Sequence, residues 1–381
     1  MFLRVIKDAI TWRHGTTGMR EVHEGYDRLL EYALTAFLTR VASSEPRSAA
    51  ALIQAAEAAS SDERRAALAA PESSFRLLWP GRNEPVESAY FLADAFLTER
   101  WRDRDDHPFP DDRWTATGDI LLRGGGGRSA RADRADGLIL DLGSPHARSV
   151  DVDGRRSRLS EPLTPLGPVE LDHVVERITS AMNGIAAVDK DIAWFVARFT
   201  KALIPLPDTA SPTQFSSGSS GQFVGRTVLG NPHLATVTPA RLSDALVHEA
   251  MHSLLYMDEQ QDRWVLRPEL YDGPMRITSP WTGASLPLRP YLQACFVWYG
   301  LLNYWSRAWD RQAFPVHEVK ERISQALVGF LRGPLLVRVE GVIQDLSPEL
   351  VGTIEEMQTQ VLEAWADLAP QDAGLAIGGS P

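Results

Sequence analysis

The stretch from Thr238 to Gln261, TPARLSDALVHEAMHSLLYMDEQQ, constrains this chain more than any other. It reads as one helix. Thr238 suits the capping position, where its hydroxyl accepts a hydrogen bond from a free amide, and Pro239 suits the first helical position, where its missing N–H costs nothing. Leu242, Ala245, Leu246, Leu254 and Leu255 form an apolar side at helical spacing. His248 and His252 are four residues apart, a rotation of roughly 400°, so both point the same way. Two imidazoles on one helix face can grip one metal ion, with Glu249 beside it; this is the HExxH pattern. The competing reading is a buried helix whose histidines only make hydrogen bonds.

Composition narrows what such a helix can serve. At 381 residues, with 44% hydrophobic and 23% charged residues, the chain has the balance of an ordinary soluble globular protein with room for a sizeable core. The net charge of −11 and the absence of a Lys/Arg run argue against nucleic acid as the main partner and give no polybasic membrane anchor. A basic or neutral peptide substrate stays open. Cys295 is the single cysteine, so neither an intrachain disulfide nor a cysteine-type zinc site is possible, which fits a reducing compartment. The opening residues, MFLRVIKDAITWRHG, lack a signal peptide's apolar core and cleavage site. The longest apolar segment, Tyr291 to Trp305, holds Gln293 and Asn303 and is too short to span a bilayer. A cytoplasmic location is expected, with no membrane partner.

The expected fold is mainly α with a small antiparallel β element, an α+β chain with the metal helix in a helical core. We divide it into an N-terminal helical region (1–115), a small β region (116–170), a helical domain carrying HExxH (171–368) and a tail (369–381). Helical periodicity covers Tyr26 to Val41, Ser48 to Ala59, Asp62 to Ala70 and Glu87 to Trp101, with Pro71 stopping the third. Strands are expected at Asp119–Arg123, Gly137–Leu142 and Val150–Val152, the last running into an Asp153-Gly154 turn. Between the first two lies RGGGGR (Arg123 to Arg128). No Gly-Lys-Ser/Thr follows it, so a hairpin tip is expected rather than a phosphate cradle. Helices resume at Asp172–Met182 and Val188–Leu203, ended by Ile204-Pro205-Leu206-Pro207. The polar run Asp208 to Gly221 reads as a mobile surface loop, or as a loop that holds substrate near the metal. Val224 to Gly230 reads as a strand leading to the metal helix, and an edge strand there can pair with an extended peptide. Asp262 to Leu288 is irregular. Arg289–Trp309, apolar nearly all round and so buried, Val316–Phe330 and Ser347–Leu368 close the chain as helices.

Two histidines leave a catalytic site short of its usual three protein ligands. Asp258 has the right distance along the chain, but a continuous helix turns it roughly 240° away from His252. Gln293, the first inward polar residue of the Arg289 helix, sits at or near the metal or else packs against backbone groups. His317 and Glu318 are further candidates on an expected exposed helix start.

Beyond these residues, Ile204-Pro205-Leu206, the Ser216-Ser217-Gly218-Ser219 loop, Leu246 to His252, Ser279-Pro280-Trp281-Thr282-Gly283 and Phe296 to Leu301 occur in one order over roughly residues 200–306. In this the chain resembles the HExxH-motif peptide-modification family found in gene clusters for ribosomally made peptide natural products. The resemblance implies a zincin-like metal helix used by an Fe(II)- and 2-oxoglutarate-dependent hydroxylase, acting on a β-carbon of a precursor peptide. It implies His248 and His252 as iron ligands, with Gln293 where a histidine is the family's pattern; glutamine is a weaker, neutral ligand. Glu249 then stands beside the metal. Two histidines and one further ligand leave three positions for the keto acid and dioxygen. The keto acid's distal carboxylate needs a cation or hydroxyls: Arg289, one turn before Gln293, is the first choice, Arg276 and Arg307 are rivals, and Ser219 is a hydroxyl candidate. The alternative enzyme is a zinc peptidase, in which Glu249 takes a proton from metal-bound water. A non-catalytic peptide-binding module with a degenerate metal site is the third possibility.

Overall fold

A computed structural model describes residues 2–130, 137–145, 166–271 and 273–365. In chain order the helices are α1 (Leu3–Ala9), α2 (Thr17–Ser44), α3 (Pro46–Ala58), α4 (Ser61–Ala69), α5 (Pro71–Leu78), α6 (Pro85–Trp101), α7 (Pro168–Val188), α8 (Lys190–Phe199), α9 (Pro239–Gln261), α10 (Leu288–Arg311), α11 (Val316–Leu331) and α12 (Pro348–Ala364). The strands are β1 (Arg113–Trp114), β2 (Ile120–Leu122), β3 (Arg128–Ala130), β4 (Ala202–Leu206), β5 (Ser216–Ser219), β6 (Arg226–Gly230), β7 (Ile277–Thr278) and β8 (Ser285–Leu286). The chain is mainly helical with small sheets, as expected of an α+β protein. It forms two units, one of Met19–Gln261 and one of Met1–Gly18 with Asp262–Pro381. No helix among the described residues is long and apolar enough to cross a membrane.

In the unit of Met19–Gln261, local chemistry sets the helix ends. The Ser60 hydroxyl accepts from Glu63 N at 3.3 Å while the Glu63 carboxylate accepts from Ser60 N at 2.7 Å, a capping box that starts α4. Pro71 ends that helix as expected and also opens α5, which the sequence reading lacked; the first helical position tolerates proline because no N–H is required there. RGGGGR is a hairpin tip, with Gly125, Gly126 and Gly127 at φ of 84°, 108° and 87°. Its strands are β2 and β3, so β1, β2 and β3 form an antiparallel sheet. The expected strand at Gly137–Leu142 does not join that sheet. It lies beside β4, where Leu203 N donates to Ile139 O at 2.8 Å and Asp141 N to Leu203 O at 2.9 Å. The expected strand at Val150–Val152 and its Asp153-Gly154 turn fall outside the described residues, as does the expected tail.

The second sheet has the order β4-β6-β5, with β4 parallel and β5 antiparallel to β6, so it is mixed rather than purely antiparallel. Three expectations change here. Residues Ala202–Leu206 are strand, not the end of a helix, because Pro205 pushes Ile204 toward extended backbone and all five side chains are buried. Val224–Gly230 supplies β6, which is the central strand and not an edge. The run Asp208–Gly221 is not a loose loop: Ser216–Ser219 is β5, and the residues before it are tied to Asn231. Asn231 Oδ1 accepts from Asp208 N at 2.7 Å, and Nδ2 donates to Ser211 O and Gln214 O, both at 2.8 Å. Helix α9 packs against α7, α8, β5 and β6.

The other unit is built on α10, whose Leu292, Cys295, Phe296, Val297 and Leu301 are all fully buried. The Ser279–Gly283 stretch turns the chain between β7 and β8, with Gly283 N donating to Ser279 O at 2.9 Å. Trp281 goes inward from that turn. Its indole N–H donates to Ala326 O at 2.9 Å, and its ring lies 5.9 Å from Trp298 at 10° and 5.3 Å from Phe330 at 75°. Tyr291 donates to Leu335 O at 2.7 Å, joining α10 to the 3-10 segment Leu336–Asp345. The Ser347 hydroxyl caps α12 at Leu350 N, 3.2 Å away.

Candidate metal centre

Helix α9 begins as its sequence dictates: Arg241 N donates to the Thr238 hydroxyl at 3.1 Å, and Pro239 follows the cap. Most of the helix is buried, but Asp244, His248, His252 and Tyr256 are only partly so. Spaced by four, they make one stripe along the helix. His248 and His252 converge, with Nε2 atoms 3.2 Å apart and rings at 53°. Two nitrogens each about 2.1 Å from one metal ion subtend an angle of about 100° at that separation, which lies between tetrahedral and octahedral values. The pair thus fits two neighbouring positions on a single ion. Without an ion, the same spacing suits one imidazole donating to the other. Tyr256 stacks on His252, ring centres 5.8 Å apart at 21°, and limits the rotation of that imidazole.

Glu249 lies beside the pair and is 3% exposed. Ser217 Oγ donates to its Oε1 at 2.8 Å and Ser219 Oγ to its Oε2 at 2.6 Å. Both oxygens of the carboxylate are therefore tied to one strand. The geometry follows from the two-residue period of β5: Ser217 and Ser219 fall on one face and Gly218 between them on the other. Ser219 was expected near a cofactor carboxylate; the carboxylate it meets is the protein's own. Ser217 is not among the residues that the sequence marks. The signal was present, since two hydroxyls two residues apart share a face once the segment is known to be extended.

Replacing either serine by alanine leaves a buried carboxylate oxygen without its donor, so Ser219→Ala is expected to cost about 1.5–3 kcal/mol in urea unfolding. Ser217→Ala should behave alike. A loss within error for both variants would mean that these contacts do not hold Glu249.

The remaining candidates, Asp258 excepted, lie in the other unit. Gln293 is 1% exposed on α10. Arg289 stands one turn before it, with its guanidinium carbon 5.5 Å from the centre of the Tyr271 ring. Arg276 is exposed, and its Nη1 donates to Gly273 O at 3.0 Å and Met275 O at 2.9 Å. His317 is exposed at the start of α11, as the sequence indicates, and Arg307 is partly buried on α10. Asp258 is fully buried on α9. Among the described residues no group of three or more His, Cys, Asp and Glu side chains is placed to hold one ion, so the site assembled on α9 consists of two imidazoles and a serine-bound carboxylate. No known protein-family model and no curated protein matches the chain.

Proposed function

We propose that the chain is an Fe(II)- and 2-oxoglutarate-dependent hydroxylase acting on the β-carbon of a residue in a ribosomally made precursor peptide. The observation that carries this reading is the state of Glu249. A peptidase of the HExxH type needs this carboxylate turned to a metal-bound water as a proton acceptor. Here two serine hydroxyls donate to its two oxygens, which supports a role in holding the site rather than in taking a proton. His248 and His252 supply two neighbouring nitrogen donors 3.2 Å apart and leave the rest of an ion's coordination sphere to other ligands. Iron with the keto acid and dioxygen supplies the oxidising chemistry when bound. The protein's part is to fix the imidazoles, through Tyr256 stacked on His252, and to keep Glu249 in place, through β5.

The test is incubation of the full chain, loaded with iron without oxygen, with 2-oxoglutarate, air and candidate precursor peptides. Succinate and a peptide heavier by one oxygen atom are expected. Two shorter peptide fragments, formed with zinc and without the keto acid, would replace this reading by a zinc peptidase.

A further inference from the structure

A polar cleft of about 590 Å³ lies in the unit of Met19–Gln261, walled by α2, α4 and α8. Volumes of this size hold small metabolites. Four guanidiniums line it, Arg28, Arg64, Arg65 and Arg198, against three carboxylates, Glu24, Asp27 and Glu31. Asp27 is engaged through one oxygen, its Oδ2 lying 3.2 Å from His23 Nδ1 and 3.8 Å from Arg65 Nε, while its Oδ1 is buried without a hydrogen-bond partner.

The hydrogen-bond order behind the cleft shows which charge is left over. Lys201 Nζ is 2.8 Å from His23 Nε2. The Asp27 carboxylate oxygen only accepts, so the ring proton sits on Nδ1, facing Asp27, and Nε2 is left as the acceptor for Lys201. Arg198 Nη2 approaches that same Nδ1 at 3.5 Å. A guanidinium has only donors, and a protonated Nδ1 offers it none of the acceptor it needs. Arg198 is thus a cation beside a neutral imidazole, with the buried Lys201 on the imidazole's other side. Burial first, and then the Arg198 charge, hold Lys201 down to about 7 against the pull of Asp27. Burial likewise lowers His23, with Lys201 and Arg198 adding to the effect and Asp27 opposing it. Arg64 Nε, also on this cleft, is buried without a hydrogen-bond partner.

We infer that the cleft between α2, α4 and α8 is a binding site for a small molecule bearing a phosphoryl or carboxylate group, which accepts from Arg64 and Arg198. A doubly charged oxyanion offers the acceptor that Arg64 Nε lacks and matches guanidinium forks with two oxygens at once. This site is independent of the histidine pair and stands whether or not the hydroxylase reading does.

The experiment is calorimetric titration of the full chain, at pH 7 and low salt, with inorganic phosphate and separately with succinate. At least one is expected to bind saturably, with a Kd of about 1 mM or tighter. Phosphate alone would mark a phosphoryl site, succinate alone a carboxylate site. Arg198→Gln and Arg28→Gln, both at exposed positions, are expected to weaken binding about tenfold or more. Arg82→Gln, exposed and outside the cleft, should leave it unchanged. Absence of saturable binding of either anion, or equal weakening by all three variants, would overturn the assignment.

Discussion

His248→Ala is expected to lower the affinity of the protein for Fe(II) and for Zn(II) by about 100-fold or more, and to abolish metal-dependent turnover. The reason is geometric. Two donors 3.2 Å apart act as one chelate, and removing one leaves a single imidazole with no pre-set neighbour. The substitution is mild for the fold, because His248 is only partly buried and alanine favours a helix. His252→Ala should match it. Glu249→Gln gives the contrast that separates the two enzyme readings. Glutamine keeps an acceptor for one serine, so metal binding should survive and hydroxylation should be reduced rather than lost. Peptide cleavage dependent on Glu249 as a base would vanish in the same variant. Metal content by elemental analysis and succinate release are the two measurements. Full metal occupancy in His248→Ala would show that the histidine pair is not the metal centre.

Helix α9 was legible because its signals are local: a capping threonine, a proline where no N–H is needed, and histidines one turn apart. What surrounds it was less so, for reasons that individual residues explain. Ser216–Ser219 has no hydrophobic side chain, so no period-two pattern of burial marks it as a strand; it is extended because β6 pairs with it and Asn231 gathers the chain just before it. Ala202–Leu206 carries the reverse difficulty. An apolar run buried on both faces has no periodicity, and only Pro205 argued against helix. Pro71 is a stop and a start at once, ending α4 and opening α5, and a proline signals both in the same way. The pairing of residues near Leu140 with β4, about sixty positions later, is a long-range fact that no window of sequence contains. The same limit applies to Ser217 and Glu249. Each is ordinary alone, and their meeting depends on how a strand and a helix pack.

The SPWTG turn carries the second large effect, and it concerns stability rather than chemistry. Its residues drew attention as part of a functional pattern, yet Trp281 is 5% exposed, and its ring and N–H are all used in packing against α10 and α11. Trp281→Ala is therefore expected to destabilise the chain by about 3–5 kcal/mol through the cavity it leaves. Loss of the Trp298 stack and the bond to Ala326 O falls within that figure. Trp281→Phe should recover part of it, since the ring is kept and only the N–H donor and some volume are lost. Gly329 tests the same contact from the other side. A Cβ on that α11 residue would overlap the indole of Trp281, which is fixed on both faces and cannot swing away. Gly329→Ala should thus cost about 1–3 kcal/mol, although alanine in a helix interior ordinarily gains about 1 kcal/mol over glycine. In the Trp281→Ala background the clash is gone, so there Gly329→Ala should be neutral or stabilising. That reversal of sign, read by urea unfolding of the four proteins, would establish that indole and glycine meet as described; additive losses would show that they do not.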